Sequence, residues 1–382
     1  MNFIPYARQE IGDADIDAVA MVLRSDWLTQ GPAVERFEQA VAQYCGAAHA
    51  VAVNSATSAL HLACLALGVG PGDLGWTTPN TFVASANCLL HCGASVDFVD
   101  IEATTLNIDV AALEAKLIRA RNAGRLPKVV IPVHFAGHPC DMAGIRSLAD
   151  EYGFKVVEDA SHAVGARCQG RPVGSGAHAD LTVFSFHPVK IMTTGEGGMV
   201  LSNDAGLIRQ VALLRSHGIT RDPAEMEGQS EGGWYYQQIG LGYNYRMTDI
   251  QAALGTAQLS RLDDFLARRR SLARRYDALL ADLPLNRLHP DDGSAWHLYP
   301  IRLHDAARRR QVFEHMRAAG IGVNVHYIPV HLQPWYRRMG FKPGDFPAAE
   351  AYYAGALTLP LYPGLSDMDQ ERVVQVLRQA LI

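Results

Sequence analysis

The 382-residue sequence predicts an α/β protein: a mainly parallel central sheet flanked by helices, followed by a smaller α+β C-terminal unit. From residue 49 onward, short apolar runs alternate with amphipathic stretches, which is the rhythm of strand-helix-strand crossovers. Near residue 250 that rhythm gives way to long helical material rich in Ala, Leu and Arg. A chain with 48% apolar residues at this length exceeds one hydrophobic nucleus, so a large domain over 1–250 and a small one over 251–382 are expected.

The elements follow in order. "HAVAV" reads as a strand leading to a helix from Thr57, and "GWTT" as a strand before a helix from Thr81. "SVDFVD" precedes a helix from Asp109, "KVVIPVHF" precedes a helix from Asp141, and "KVVED" ends at Asp159. Leu181 to Phe186 is a further apolar strand, then "GGMVLSN" another, followed by the helix "DAGLIRQVALLRSHG". Met247 to Leu283 reads as helical, "WHLYPIRL" as a strand, "ARRRQVFEHMRAAG" as a helix, and Asp367 to Ile382 as the closing helix. The polar, glycine-containing run 222–234 reads as a surface loop or lid.

Composition excludes several functions. A net charge of −5 with interleaved signs argues against nucleic acid as a partner. No run is long and apolar enough for a bilayer, and "MNFIPYARQE" lacks the pattern of a signal peptide, so a cytoplasmic protein without a membrane partner is expected. The six cysteines form no CxxC pair and suit buried thiols in a reducing compartment. Cys88, His91 and Cys92 lie on one helix with no second ligand pair, and for His134, His138, Cys140 and Asp141 the chemistry at the strand ends calls for no metal. No metal is expected.

In open α/β sheets ligands lie beyond the carboxyl ends of strands. After the first strand, Asn54, Ser55, Ala56 and Thr57 suit either an ordinary helix cap or an anion at a helix N-terminus. Asp159 leaves an apolar strand as a carboxylate that needs a cap, a pairing or a cation, with His162 three residues on. Lys190 follows the strand 181–186 and precedes Thr193, Thr194 and a glycine-rich turn. Among 34 cations only five are lysines; Lys116, Lys128, Lys155 and Lys342 read as ordinary solvated cations. Lysine, unlike arginine, can shed its proton when desolvated and attack a carbonyl to form a Schiff base. Asn244 and Arg246, just before a helix capped by Thr248 or Asp249, suit a phosphate or a carboxylate. An anion cradle, a carboxylate and such a lysine at three strand ends together point to pyridoxal phosphate.

The segments "SDWLTQGP", "EDASHAVGA", "SFHPVKIMTTGEGG" and "GYNYRMTDIQAALG" resemble the sugar-nucleotide aminotransferases of the DegT/StrS type, over essentially the whole chain. The resemblance implies the aspartate aminotransferase-like fold type I of pyridoxal-phosphate-dependent transferases. It implies that Lys190 forms the Schiff base with pyridoxal 5'-phosphate, Asp159 pairs with the ring nitrogen, His162 bonds the ring hydroxyl and Phe82 stacks on the ring. Ala56, Thr57 and Ser185 would bind the phosphate. Asn244 would reach it from a second subunit, in a homodimer with shared active sites.

"NFIPYARQEIGDADI", "LRSDWLTQGP", "HFAGHPCDM", "LRSHGITRDP" and "WYYQQIGLGYNYRMTD" are similar to the subgroup that makes the 4-amino sugar precursor of pseudaminic acid. That likeness implies transfer from L-glutamate to C4 of UDP-2-acetamido-2,6-dideoxy-β-L-arabino-hexos-4-ulose. Tyr6, Asp26, Trp27, Leu28, Thr29, Ser55, Asn324, His326 and Tyr327 would meet the sugar nucleotide, with Arg246 and His326 as diphosphate ligands or structural residues. Transfer at C3 or C4 of another UDP- or dTDP-keto-hexose is the alternative. A sugar dehydratase is a further one, and Lys190 speaks against it because the relatives that dehydrate at C3 carry histidine there. Gly75 and Trp76 depart from the usual pattern and weaken one strand's propensity.

Overall fold

A seven-stranded sheet dominates the computed structural model, which describes residues 3–288 and 292–381. Asn2 of the N-terminal motif and Ile382 of the closing helix lie outside the described residues. Helices α1 (Asp13–Leu23) and α2 (Pro32–Cys45) precede β1 (His49–Val53) and α3 (Ala56–Ala66). Then β2 (Leu74–Thr77), α4 (Ala84–His91), β3 (Ser95–Phe98), α5 (Val110–Asn122), β4 (Val129–Ile131), α6 (Met142–Tyr152) and β5 (Lys155–Asp159) continue the crossovers. A short hairpin, β6 (Arg167–Cys168) and β7 (Arg171–Pro172), leads to β8 (Leu181–Ser185), β9 (Gly198–Ser202) and α7 (Ala205–Arg215).

The strand order is β1-β9-β8-β5-β4-β2-β3, and β9 alone runs antiparallel to its neighbours. Gly198 pairs with both Val53 of β1 and Ser185 of β8, so these two strands end level with each other. Asp159 of β5 pairs with Val183 of β8, on the same edge. The register therefore gathers the residues that follow β1, β5 and β8 at one place.

Several expected elements are shorter than the pattern suggests, including the strands expected over 95–100 and 296–303, which span Ser95–Phe98 and Tyr299–Leu303. The strand expected through Phe135 stops at Ile131, because Pro132 has no amide hydrogen to give the ladder and residues 135–137 tighten into a 3-10 turn. The helix expected from Thr81 starts at Ala84, since Thr78 and Asn80 use their side chains on backbone groups outside a helix. The glycine in "GWTT" has a packing reason: a Cβ at Gly75 would lie 2.3 Å from the Leu89 side chain. Trp76 beside it is fully buried under the Lys116 ammonium, 4.8 Å from the ring centroid.

Beyond α7, β10 (Ile219–Thr220) and β11 (Gln237–Gln238) flank the largely exposed loop 222–234. Helix α8 (Asp249–Leu259) packs on α1 and α2. Thr248 caps α8 in a capping box with Gln251, whereas the Asp249 carboxylate crosses to α2 and accepts from the amides of Gly31 and Ala33 at 2.8 and 2.9 Å. Next come α9 (Leu262–Leu279), β12 (Leu285–Arg287), β13 (Tyr299–Leu303), α10 (Arg309–Ala318), α11 (Pro334–Arg337), α12 (Pro347–Gly355), β14 (Ala356–Leu359) and α13 (Asp367–Leu381). The antiparallel sheet β12-β13-β14 buries Tyr299, Ile301 and Leu357 against Leu272 and Tyr276 of α9 and Val373 and Leu377 of α13. Val330, Tyr336, Phe346 and Tyr352 instead join Phe98 and Phe135 in the core of the large sheet. Among the described residues no helix is long and apolar enough to cross a membrane.

Candidate active site

The strand ends surround a cavity of about 830 Å³. Ser55, Ala56 and Thr57 after β1, Asp159 and His162 after β5, and Ser185 and Lys190 at the end of β8 all line it. Phe82 enters from the turn after β2, and Tyr6, Asn324, His326 and Tyr327 come from the side of the small sheet.

Ser55 has extended backbone and caps α3 by accepting from the Ser58 amide at 3.1 Å. The amides of Ala56 and Thr57 precede the intrahelical ladder, which leaves them for an anion at the positive end of the helix. Gly198 lets β9 pass beneath this turn: a Cβ there would lie 2.6 Å from the Ala56 nitrogen and from the Ser55 carbonyl carbon. The turn thus combines an ordinary cap with open amides.

Asp159 is buried, and its carboxylate is fixed on both oxygens. Ser85 Oγ donates to Oδ2 at 2.6 Å and the Ser161 amide donates to Oδ1 at 3.1 Å. Lys190 sits in a tight turn closed by its own amide donating to the His187 carbonyl at 2.8 Å. Thr193 and Thr194 tie the following turn back to the Phe186 carbonyl. Burial lowers the Lys190 pKa to about 8, and the Asp159 carboxylate opposes the shift without cancelling it. Some of the side chain stays open to the cavity, while its surroundings are dense enough to desolvate the amine.

Lys116 corrects the reading of the other lysines as solvated. It is part-buried, paired with Asp97 at 2.7 Å, and its pKa is lowered by burial. Lys128 and Lys155 pair with Asp73 and Asp180 at 2.9 and 3.1 Å, so Lys190 remains the lysine at the cavity.

His162 is buried, with Nε2 3.1 Å from the Tyr327 hydroxyl and its ring centroid 4.4 Å from that of His297. Burial, then the Lys190 charge, holds His162 well below its ordinary pKa and keeps it neutral. Burial and Lys190 likewise push His326 down to about 3. In the chain alone His326 is neutral, with Nδ1 2.9 Å from Thr358 Oγ1.

Six expected site residues do not line this cavity. Asp26, Trp27, Leu28 and Thr29 are exposed, held by bonds from this segment to residues 248 and 249. Asn244 is exposed, and Arg246 bridges Val53 beside β1. His134 is buried against Glu158 at 2.8 Å and accepts from the Cys140 amide, and Cys88 packs in the core with Cys64.

Ser85, Ser161, Gln251 and His297 also line the cavity and escaped the sequence reading. Ser85 had one usable signal, a hydroxyl four residues from Thr81 in an otherwise apolar helix start. His297 had none, lying inside what reads as a plain strand.

A family model described as DegT/DnrJ/EryC1/StrS aminotransferase matches residues 9–378. The chain is 42% identical to the spore coat polysaccharide biosynthesis protein SpsC of Bacillus subtilis, over 99% of this chain and 97% of that protein. Helicobacter pylori PseC, an aminotransferase involved in the biosynthesis of pseudaminic acid, superposes with a TM-score of 0.91 at 32% identity, covering 100% of this chain and 99% of its own. The putative sugar aminotransferase Spr1654 of Streptococcus pneumoniae, in its PMP form, gives a TM-score of 0.91 at 33% identity over 99% and 98% of the two chains.

The donor set fits pyridoxal 5'-phosphate. A partly neutral lysine suits its aldehyde, a buried carboxylate suits a ring-nitrogen proton, and the open amides of α3 suit its phosphate. With the family match running through nearly the whole sequence, the chain belongs to the DegT/DnrJ/EryC1/StrS aminotransferase family and is a pyridoxal-phosphate-dependent sugar aminotransferase.

Proposed function

We propose that the enzyme moves the amino group of L-glutamate to C4 of UDP-2-acetamido-2,6-dideoxy-β-L-arabino-hexos-4-ulose. The product would be UDP-4-amino-4,6-dideoxy-N-acetyl-β-L-altrosamine, for pseudaminic acid biosynthesis. The observation that carries this reading is the whole-chain likeness to PseC, supported by the segments quoted above.

Bound pyridoxal phosphate supplies an electron sink for the carbon next to the transferred nitrogen. Asp159 holds the proton of the ring nitrogen, and His162 meets the ring hydroxyl as a neutral imidazole. Lys190, whose amine lines the cavity, would carry the proton that leaves the donor carbon. With a pKa of about 8, roughly 300 times more of this amine is neutral at pH 7 than for a lysine at 10.5. General acid–base catalysis of this kind contributes about 10² to 10⁴-fold. Tyr6, Ser55, Asn324, His326 and Tyr327 receive the sugar nucleotide.

The working unit is a homodimer. Trp27 and Leu28, two of the expected site residues that miss this cavity, and Leu241, three positions before Asn244, expose 55%, 48% and 81% of their surface. A second copy covering them would bring Asn244 and Arg246 to its partner's phosphate and diphosphate.

The higher identity to SpsC favours a second reading, transfer to another UDP- or dTDP-keto-hexose. The two are separated by offering the purified enzyme L-glutamate with a panel of UDP- and dTDP-linked 3- and 4-ketosugars and weighing the aminated products. Turnover of the UDP-linked L-arabino 4-ketosugar above the rest supports the first reading, and preference for another ketosugar replaces it with the second.

A further inference from the structure

The Asp159 carboxylate ends a chain of two hydroxyls. Ser85 Oγ donates to Asp159 Oδ2 at 2.6 Å, and Thr81 Oγ1 lies 2.8 Å from Ser85 Oγ. Ser85 has one hydroxyl proton and a carboxylate can only accept, so that proton goes to Asp159; the Phe82 carbonyl, at 3.4 Å, is the poorer acceptor. Thr81 must then be the donor to Ser85. Thr81, Ser85 and Asp159 are all buried, at 2%, 1% and 3% exposure, in the wall of the cavity. A carboxylate turns freely about its last torsion unless donors fix it, and a buried donor chain strengthens each of its bonds.

We propose that Thr81 and Ser85 are positioning residues for the cofactor. Their directed hydroxyl chain sets the Asp159 carboxylate for the ring nitrogen and, because the two residues bracket Phe82, fixes the turn that brings Phe82 to the same cavity. Neither residue touches the reacting atoms. The inference rests on Asp159 as the ring-nitrogen partner and is independent of which sugar is used.

The test uses cofactor-free, full-length protein without any sugar. Dissociation constants are measured by fluorescence for pyridoxal 5'-phosphate and for an analogue with carbon in place of the ring nitrogen. Ser85→Ala should weaken the natural cofactor about tenfold, the scale of a buried hydrogen bond to a charge, and the analogue by less than about twofold. Thr81→Val, which keeps the shape, should weaken the natural cofactor about threefold in the parent and add nothing to Ser85→Ala, while Thr81→Ser keeps the parent affinity. Equal weakening of both ligands by Ser85→Ala, whatever its melting temperature, would mean a packing role and overturn the proposal. Unchanged affinity would overturn it too. Asp159→Asn is the reference. If it also fails to distinguish the ligands, the ring-nitrogen assignment falls; if it distinguishes them and Ser85→Ala does not, only the hydroxyl chain falls.

Discussion

The Tyr327 hydroxyl lies 3.1 Å from Nε2 of His162 and joins the segment that leads from the small sheet to the residue three positions beyond Asp159. Burial raises the Tyr327 pKa, so the phenol keeps its proton, and burial also keeps His162 neutral. Their contact is a neutral hydrogen bond worth about 1 kcal/mol. Tyr327→Phe keeps the ring contacts with Phe82 and Phe135 and removes this bond. We expect kcat/KM to fall about five- to tenfold with the melting temperature little changed. Steady-state kinetics and a thermal melt check this together.

Gly198→Ala tests the packing of the anion turn. The added methyl meets backbone atoms of Ser55 and Ala56, which cannot rotate away as a side chain would. We expect a stability loss of about 1–3 kcal/mol and a weaker hold on the cofactor, because the helix end must shift. Urea unfolding of the cofactor-free protein and cofactor titration measure the two effects.

Lys190 predicts a pH dependence with a definite sign. Its folded pKa of about 8 lies below the ordinary 10.5, so below about pH 8 the cofactor-free native state carries a poorly solvated cation. Between those values the unfolded chain binds more protons than the native one, and stability rises with pH through this window. Lys190→Met should therefore stabilise the cofactor-free protein at pH 7 by up to about 3 kcal/mol, a gain that shrinks to nothing near pH 10.5. Denaturant midpoints of variant and parent across pH follow this difference. A constant gain would contradict it.

The chemistry at the strand ends was legible because each apolar strand stops at a polar residue. β1 is followed by Asn54 and Ser55, β5 ends on Asp159, and β8 ends on Ser185 with Lys190 five positions further on. The direction of β9 was not legible, since an apolar run carries no sign of parallel or antiparallel pairing, yet that strand brings Gly198 beneath the anion turn. Asp249 reads as a cap for its own helix and serves a different one across the fold, a long-range contact with no local signal. Ser85 and His297 became visible only once Asp159 and His162 had positions in space. The segment 26–29 was marked by resemblance, whereas Asn244 and Arg246 also drew notice as side chains suited to an anion, and all of them lie outside this chain's cavity.

Nitrogen tracing follows the transferred amino group itself. The enzyme is given [¹⁵N]-L-glutamate and the UDP-linked L-arabino 4-ketosugar, and the product is analysed by mass and NMR. We expect ¹⁵N bonded to C4 of the sugar, with 2-oxoglutarate released before sugar is added. Label at C3, or no labelled amine in the sugar, would contradict it.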